Sequence, residues 1–167
     1  MTIENKKIIR EVVRSGDYIS ELEDIRFYFL FPDSEFVDVN GNTAGNNLNN
    51  GSVAFILKFR DTELFFSGDI EKESERFLCD TYSDFLKTDV LKVAHHGSIT
   101  STTIPFIIKN KPAYAVISCG MYNKFKHPSD IILNRLEKTG AKTFRTDLEG
   151  AAVMESDGKN IDFIEWK

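Results

Sequence analysis

Val90-Leu91-Lys92-Val93-Ala94-His95-His96-Gly97-Ser98 decides how this chain is read, because a short apolar run stops abruptly on two adjacent imidazoles and a glycine. A run of this length and composition predicts a buried strand over Val90 to Ala94, and side chains delivered from a strand's carboxyl end are well placed to hold a metal ion. Upstream, Leu64-Phe65-Phe66-Ser67-Gly68-Asp69 closes a second apolar run on a carboxylate. Downstream, Asn123-Lys124-Phe125-Lys126-His127-Pro128 carries the third histidine. The chain's 3 histidines and Asp69 all fall between residues 69 and 127.

Outward from these stretches the pattern alternates. Residues 1–24 are charged and weakly periodic and read as an exposed lead-in before a domain spanning 25–167. Ile25 to Phe31 is aromatic and β-branched, a strand that stops at Pro32. Residues 38–51 are rich in asparagine and glycine, a composition that predicts a long loop too polar to pack. Ser52 to Phe59 and Glu63 to Ser67 predict a hairpin across Arg60-Asp61-Thr62. Glu71 to Leu86 places Phe77, Leu78, Tyr82, Phe85 and Leu86 at helical spacing, with acidic residues opposing the dipole at its start. Thr102 to Asn110 predicts a short helix with Pro105 in its first turn, followed by a strand over Ala113 to Ser118. A helix from Pro128 to Lys138 closes on Gly140. Lys142 to Arg145 then predicts a strand, and Ala151 to Glu155 with Ile161 to Trp166 a final hairpin around Asp157-Gly158. The alternation of strands and helices implies an α/β fold with a mixed sheet.

The order and spacing of these stretches resemble the C-terminal half of a metallo-β-lactamase-superfamily domain, in the branch found in ComEC/Rec2 competence proteins. The resemblance begins at Asn50-Gly51-Ser52-Val53. It continues through Ser67-Gly68-Asp69, Asp89 to Ser98, Ile117-Ser118-Cys119-Gly120, Asn123 to Pro128, and Arg145-Thr146-Asp147 with Gly150. It implies the second half of an αββα sandwich, with helices on one face of the sheet. It also implies a metal-dependent hydrolase, of phosphodiesterase or nuclease type, using zinc, with manganese or iron as alternatives, and binuclear in the complete domain. One departure stands out: the superfamily's His-x-His-x-Asp-His motif is absent, since no histidine precedes His95. By itself the chain is expected to hold an incomplete site, active only if that motif is supplied. The alternative is a catalytically incomplete scaffolding or oligomerisation module derived from the same fold.

Within that resemblance Asp69 would bridge two cations, although aspartate at a strand-to-helix turn is also an ordinary N-cap. An extended chain sends neighbouring side chains to opposite faces, so one of His95 and His96 would bind metal while the other stands behind it or faces substrate. His95 continues the phase of Leu91 and Val93; both remain metal candidates with Asp69, and His96 is also a catalytic candidate. His127 is expected to contact substrate and share in catalysis. Ser98 and Ser101, with Thr100 and Thr102, run toward a helix N-terminus where an anion could be held; they could equally serve as caps. Lys124 and Lys126 could meet a phosphodiester or be solvated surface charge. Asp147 could belong to the site or to a turn.

Composition sets bounds on these readings. With 167 residues and 41% hydrophobic content, including 14 phenylalanines, the chain can bury one core. A net charge of −5 argues against broad adhesion to nucleic acid by this chain alone. Cys79 and Cys119 lack the spacing of a zinc knuckle and are expected to be reduced thiols. No apolar run approaches the roughly 20 residues that span a bilayer. The chain is therefore expected to be soluble and cytoplasmic, membrane-associated only as part of a ComEC-like protein. Its expected partners are a phosphodiester or small-molecule substrate and either the missing N-terminal half or a second copy.

Overall fold

The computed structural model describes residues 12–38, 41–43 and 47–164. Seven strands form one sheet whose order follows the sequence: β1 (Tyr18–Leu22), β2 (Ile25–Phe31), β3 (Ala54–Phe59), β4 (Thr62–Phe66), β5 (Val90–Lys92), β6 (Tyr114–Ile117) and β7 (Lys142–Arg145). The first four strands pair antiparallel and β4 to β7 pair parallel. Parallel neighbours need crossovers, and here each contains a helix: α1 (Lys72–Tyr82), α2 (Ile104–Asn110) and α3 (Asp130–Thr139). A short helix α4 (Thr146–Glu149) leads to a separate hairpin of β8 (Val153–Ser156) and β9 (Ile161–Ile164).

The three crossover helices pack on one face. Leu78 from α1, Phe106 and Ile107 from α2, and Ile132 and Leu136 from α3 share a core with Ile56, Phe65, Leu91, Ala115 and Ile117 of the sheet. Each large side chain buried there contributes roughly 1.5–3 kcal/mol. Local signals agree with this packing. In α3, Ile132 and Leu136 recur four residues apart on the buried face, the Ser129 side chain caps the start by accepting from Ile131 N, and Gly140 ends the helix in the left-handed conformation.

The opposite face is covered at one end. There Phe163 of β9 packs on Tyr114 and Phe144, with ring centroids 5.0 and 5.4 Å apart, and the hairpin turn reaches the β3–β4 turn through Asp61 N donating to Gly158 O. Beyond the hairpin, Phe27, Phe29, Phe55 and Phe66 form an aromatic row across β2, β3 and β4. Phe55 and Phe66 stack at 4.9 Å and 12°. Phe27, Phe55 and Phe66 are only half-buried.

Three expectations are corrected. The lead-in does not extend to residue 24: β1 joins the sheet, and the turn before it is fixed by Phe29 N donating to Asp17 O and Gly16 N donating to Phe29 O. Residues 1–11 lie outside the described residues. The asparagine-rich segment is partly packed: Leu48–Gly51 forms a 3₁₀ turn, and Asn50, 7% exposed, accepts from Ser74 Oγ and Glu71 N. Asparagine amides supply the donors and acceptors that a helix start and a partly buried carboxylate need, so a polar loop can pack there. Finally, the β3–β4 connection has two residues, Arg60 and Asp61, since Phe59 pairs with Thr62.

Candidate metal and substrate site

The parallel strands β4 to β7 end on the same edge of the sheet, and every candidate residue emerges there. Past Phe66 the chain turns at Gly68, whose φ of +56° belongs to the left-handed region; a Cβ there would lie 2.9 Å from Ser52 Cβ and 3.0 Å from Val53 O. That close passage delivers Asp69 to the edge, where its backbone N–H is held by Ser52 Oγ at 3.2 Å.

The histidine pair is not extended. His95 (φ 47°, ψ 42°) and His96 (φ 57°, ψ 20°) are both left-handed, in a tight turn over Ala94–Gly97. Consecutive left-handed non-glycine residues cost roughly 1–3 kcal/mol each and are found where function fixes a side chain. Strand alternation therefore does not apply, and the two rings take different partners around the same edge. His96 Nε2 stands 3.7 Å from Asp69 Oδ1, and His95 Nδ1 stands 3.3 Å from Glu71 Oε1. Ring centroids are 6.4 Å apart for His95 and His96, and 5.8 Å for His95 and His127.

Hydrogen bonding fixes the state of His96. Its Nδ1 lies 2.7 Å from Ser118 O at the end of β6. A carbonyl can only accept, so Nδ1 carries the proton, and in the neutral ring Nε2 keeps its lone pair on the Asp69 side. Imidazoles that ligate metal are oriented in this way from behind. Glu71 stands beside His95 without fixing its tautomer, Oε1 lying 3.3 Å from a His95 Nδ1 that the donor Asn49 Nδ2 also approaches, at 3.5 Å. It also accepts from Asn49 Nδ2 at 3.1 Å, Asn47 Nδ2 at 2.7 Å and Thr100 Oγ1 at 3.0 Å. Burial alone would raise the Glu71 carboxyl, but the three hydrogen bonds and His95 outweigh it and hold the group below the ordinary carboxylate range.

His127 reaches the site from the β6–α3 connection. The Asn123 side chain brackets it, Oδ1 accepting from His127 N at 2.9 Å and Nδ2 donating to His127 O at 2.6 Å. Gly97 lets the two loops touch: at φ +83° its would-be Cβ would lie 2.6 Å from Pro128 Cβ, and Gly97 O accepts from Ser129 N. Desolvation, then the neighbouring His95 and His96, push the His127 ring below its ordinary value of 6.5.

The serines occupy less open positions than the sequence suggests. Ser98 is 5% exposed and paired with Thr100 Oγ1 at 3.0 Å; Ser101 is 0% exposed, its hydroxyl donating to Ile70 O at 2.8 Å. Thr102 and Thr103 instead donate their amides to the buried Glu75 carboxylate. The row of hydroxyls thus braces the turn before α2 rather than lying open to an anion. Asp147 forms a two-pronged ion pair with Arg145, at 3.1 and 2.6 Å, which holds its carboxyl below the ordinary range. Lys92, three residues before His95, is half-buried and forms no ion pair among the described residues; burial lowers its pKa while Asp69 opposes that shift.

Two site residues escaped the sequence reading. Glu71 looked like an ordinary dipole-complementing acid; its position two residues past Asp69, on the same strand-to-helix turn, was the available signal. Asn123 was visible only as the first residue of a motif.

The fit to metal is partial. Asp69 and His96 offer two donors to a common point, but among the described residues no group of three or more His, Cys, Asp or Glu converges closely enough to hold an ion. A closed zinc site takes four ligands and a catalytic one three from protein. The described residues alone therefore do not make a metal site.

No family model matches the chain. ComE operon protein 3 of Bacillus subtilis is 33% identical over 140 residues, covering 84% of this chain and 17% of that protein. Competence protein ComA of Neisseria gonorrhoeae is 34% identical over 130 residues, covering 77% and 18%. Recombination protein 2 of Haemophilus influenzae is 30% identical over 105 residues, covering 63% and 12%. The chain thus spans less than a fifth of the length of these relatives. In fold it is similar to a proposed metal-dependent hydrolase from Parabacteroides distasonis, with a TM-score of 0.50 at 15% identity over 86% of this chain and 60% of the other. The helix-backed mixed sheet, the edge carrying Asp69, His95 and His96, and these relatives together place the chain in the ComEC/Rec2-like branch of the metallo-β-lactamase superfamily.

Proposed function

We propose that this chain contributes half of the active site of a metal-dependent hydrolase of phosphodiesterase or nuclease type, completed by a segment bearing His-x-His-x-Asp-His. The observation that carries the reading is the Asp69–His96 pair, 3.7 Å apart at the edge of the parallel strands, with His96 Nδ1 committed to Ser118 O. When bound, a metal ion supplies an acidified water and polarises the scissile phosphoryl oxygen. Zinc suits mixed imidazole and carboxylate donors, with manganese and iron as alternatives. The chain's own residues orient these groups. Ser118 O orients His96, Glu71 and Asn49 flank His95, and Asn123 holds the His127 backbone, while burial of the His127 ring favours its neutral form. The half-buried row of Phe27, Phe55 and Phe66 supports the same reading as the surface on which the completing half packs.

The test is reconstitution. The chain is purified without chelator, alone and co-expressed with a segment carrying the missing motif, and metal content and hydrolysis of bis-p-nitrophenyl phosphate are measured. Metal and activity should appear together in the co-expressed complex and both be lost in Asp69→Asn and His96→Ala. A complex that forms but stays metal-free and inactive would overturn the reading. That outcome would favour a scaffolding module self-associating through the aromatic face.

A further inference from the structure

Arg145-Thr146-Asp147 lies two strands away from the histidine turn, where β7 gives way to α4. The parallel ladder between β6 and β7 ends with Ile117 opposite Arg145. Just past that pair the Thr146 hydroxyl takes over from the ladder. Its Oγ1 donates to Cys119 O at 2.9 Å and accepts from Cys119 N at 2.9 Å. The proton given to one group orients the lone pair offered to the other, so each bond fixes the direction of its companion.

Cys119 N belongs to the same peptide group as Ser118 O, and Ser118 O accepts from His96 Nδ1 at 2.7 Å. A peptide group is a rigid plane whose N–H and C=O point in opposite directions. Thr146 and His96 therefore hold the two ends of one plane, and the direction in which the carbonyl meets the imidazole is set from its far side. Engaging the N–H also polarises the carbonyl and makes it a stronger acceptor. Thr146 is itself tied down. Arg145 N donates to Glu149 Oε1 at 2.9 Å, the Arg145 guanidinium clasps Asp147, and Gly150 N donates to Thr146 O at 3.2 Å. A helix of 4 residues is too short to be rigid by itself, and these contacts supply what its length cannot.

Resting on the reading of His96 as part of the completed site, we infer that Thr146 is a positioning residue for His96, acting through the Ser118–Cys119 peptide. Its hydroxyl fixes the carbonyl that keeps the proton on His96 Nδ1 and leaves Nε2 facing Asp69. Without the hydroxyl the plane is free to turn and the Cys119 N–H loses its acceptor.

The test reads the His96 tautomer in the chain alone, by long-range proton–nitrogen NMR at about pH 8.5, where an ordinary histidine is neutral. Wild-type His96 should carry its proton on Nδ1. Thr146→Val keeps the branched shape and removes the hydroxyl; it should shift the His96 tautomer ratio about two- to tenfold toward the Nε2–H form. Thr146→Ser should restore the wild-type ratio. Thr139→Val removes a hydroxyl that donates to Leu136 O at 2.7 Å at the end of α3; it should lower stability and leave the ratio unchanged. In wild type the Cys119 amide should exchange with solvent at least about tenfold more slowly than an unprotected amide. A wild-type ratio in Thr146→Val, an equal shift in Thr139→Val, no rescue by serine, or a freely exchanging Cys119 amide would each overturn the inference. The exchange measurement decides it even if Thr146→Val does not fold. Neither metal nor hydrolysis enters these readings, so a reconstituted complex that stays inactive while the tautomer behaves as expected counts against the hydrolase reading alone.

Discussion

Replacing Gly97 by alanine tests whether the histidine turn and the His127 loop are held together by one close backbone approach. Two costs add. A side chain in the left-handed region costs about 1–2 kcal/mol, and the new methyl would meet Pro128 Cβ at 2.6 Å and Pro128 Cα at 3.0 Å. Crowding of that kind in packed structure costs about 1–3 kcal/mol. Gly97→Ala should therefore lose about 2–5 kcal/mol of stability. Two other glycines separate the contributions. Gly140 shares the positive φ, at +79°, but has nothing within 4 Å of the would-be Cβ, so Gly140→Ala should cost about 1–2 kcal/mol from backbone alone. Gly120 has neither constraint, and Gly120→Ala should be nearly neutral. Urea denaturation of the three variants gives the energies, and imidazole NMR reports the site: Gly97→Ala should shift the His127 ring resonances, while Gly140→Ala leaves them in place. A Gly97 variant no less stable than Gly140→Ala would refute the argument that the loops are locked at this contact.

Other outcomes follow from individual groups. Glu71→Ala strands the donors of Asn47, Asn49 and Thr100 and should cost about 1–3 kcal/mol, with a changed His95 ring environment by NMR; an unperturbed His95 would remove Glu71 from its positioning role. Burial raises the Glu75 carboxyl above its ordinary value of 4.5, against the pull of the Thr103 and Thr102 hydrogen bonds and Arg135. The folded chain then takes up that proton at higher pH than the unfolded chain. Glu75 thus contributes a gain in stability as pH falls through the folded pKa toward 4.5, and Glu75→Gln should lose it, as read from urea midpoints across that window. The half-exposed Phe55–Phe66 stack should make the isolated chain bind 1-anilinonaphthalene-8-sulfonate and self-associate. Phe55→Ser with Phe66→Ser should reduce both in dye fluorescence and sedimentation, and unchanged behaviour would place the sticky surface elsewhere.

The fold was largely legible because periodicity and punctuation agreed. The strand over Ile25 to Phe31, the helix closing on Gly140 and the strand over Lys142 to Arg145 appear where apolar spacing, proline and glycine put them. β1 was not legible, since an edge strand exposed along much of its length carries little alternation, and its pairing is set by β2. The site was legible as a set of residue types and not as geometry. Reading His95 and His96 as extended treated the apolar run as continuing through them, whereas β5 stops at Lys92 and both residues turn left-handed. Such a turn leaves no composition signal, because its energy comes from contacts with Pro128, Ser118 and Glu71, all distant in sequence. Ser101 illustrates the converse: a hydroxyl in a turn rich in them looks like part of a binding loop until the Ile70 carbonyl that claims it is known.

The sheet's strand order carries a consequence for how the molecule is built. Every ladder joins strands that are consecutive along the chain, so no strand must wait for a later one to be inserted between itself and its neighbour. Such a sheet can grow by accretion from the β3–β4 hairpin outward, each addition closing only the loop just synthesised, which lowers the entropic cost of its long-range pairings. It also makes this sheet a modular part: its hydrogen-bonded frame from β1 to β7 is assembled wholly from strands that are neighbours along the chain.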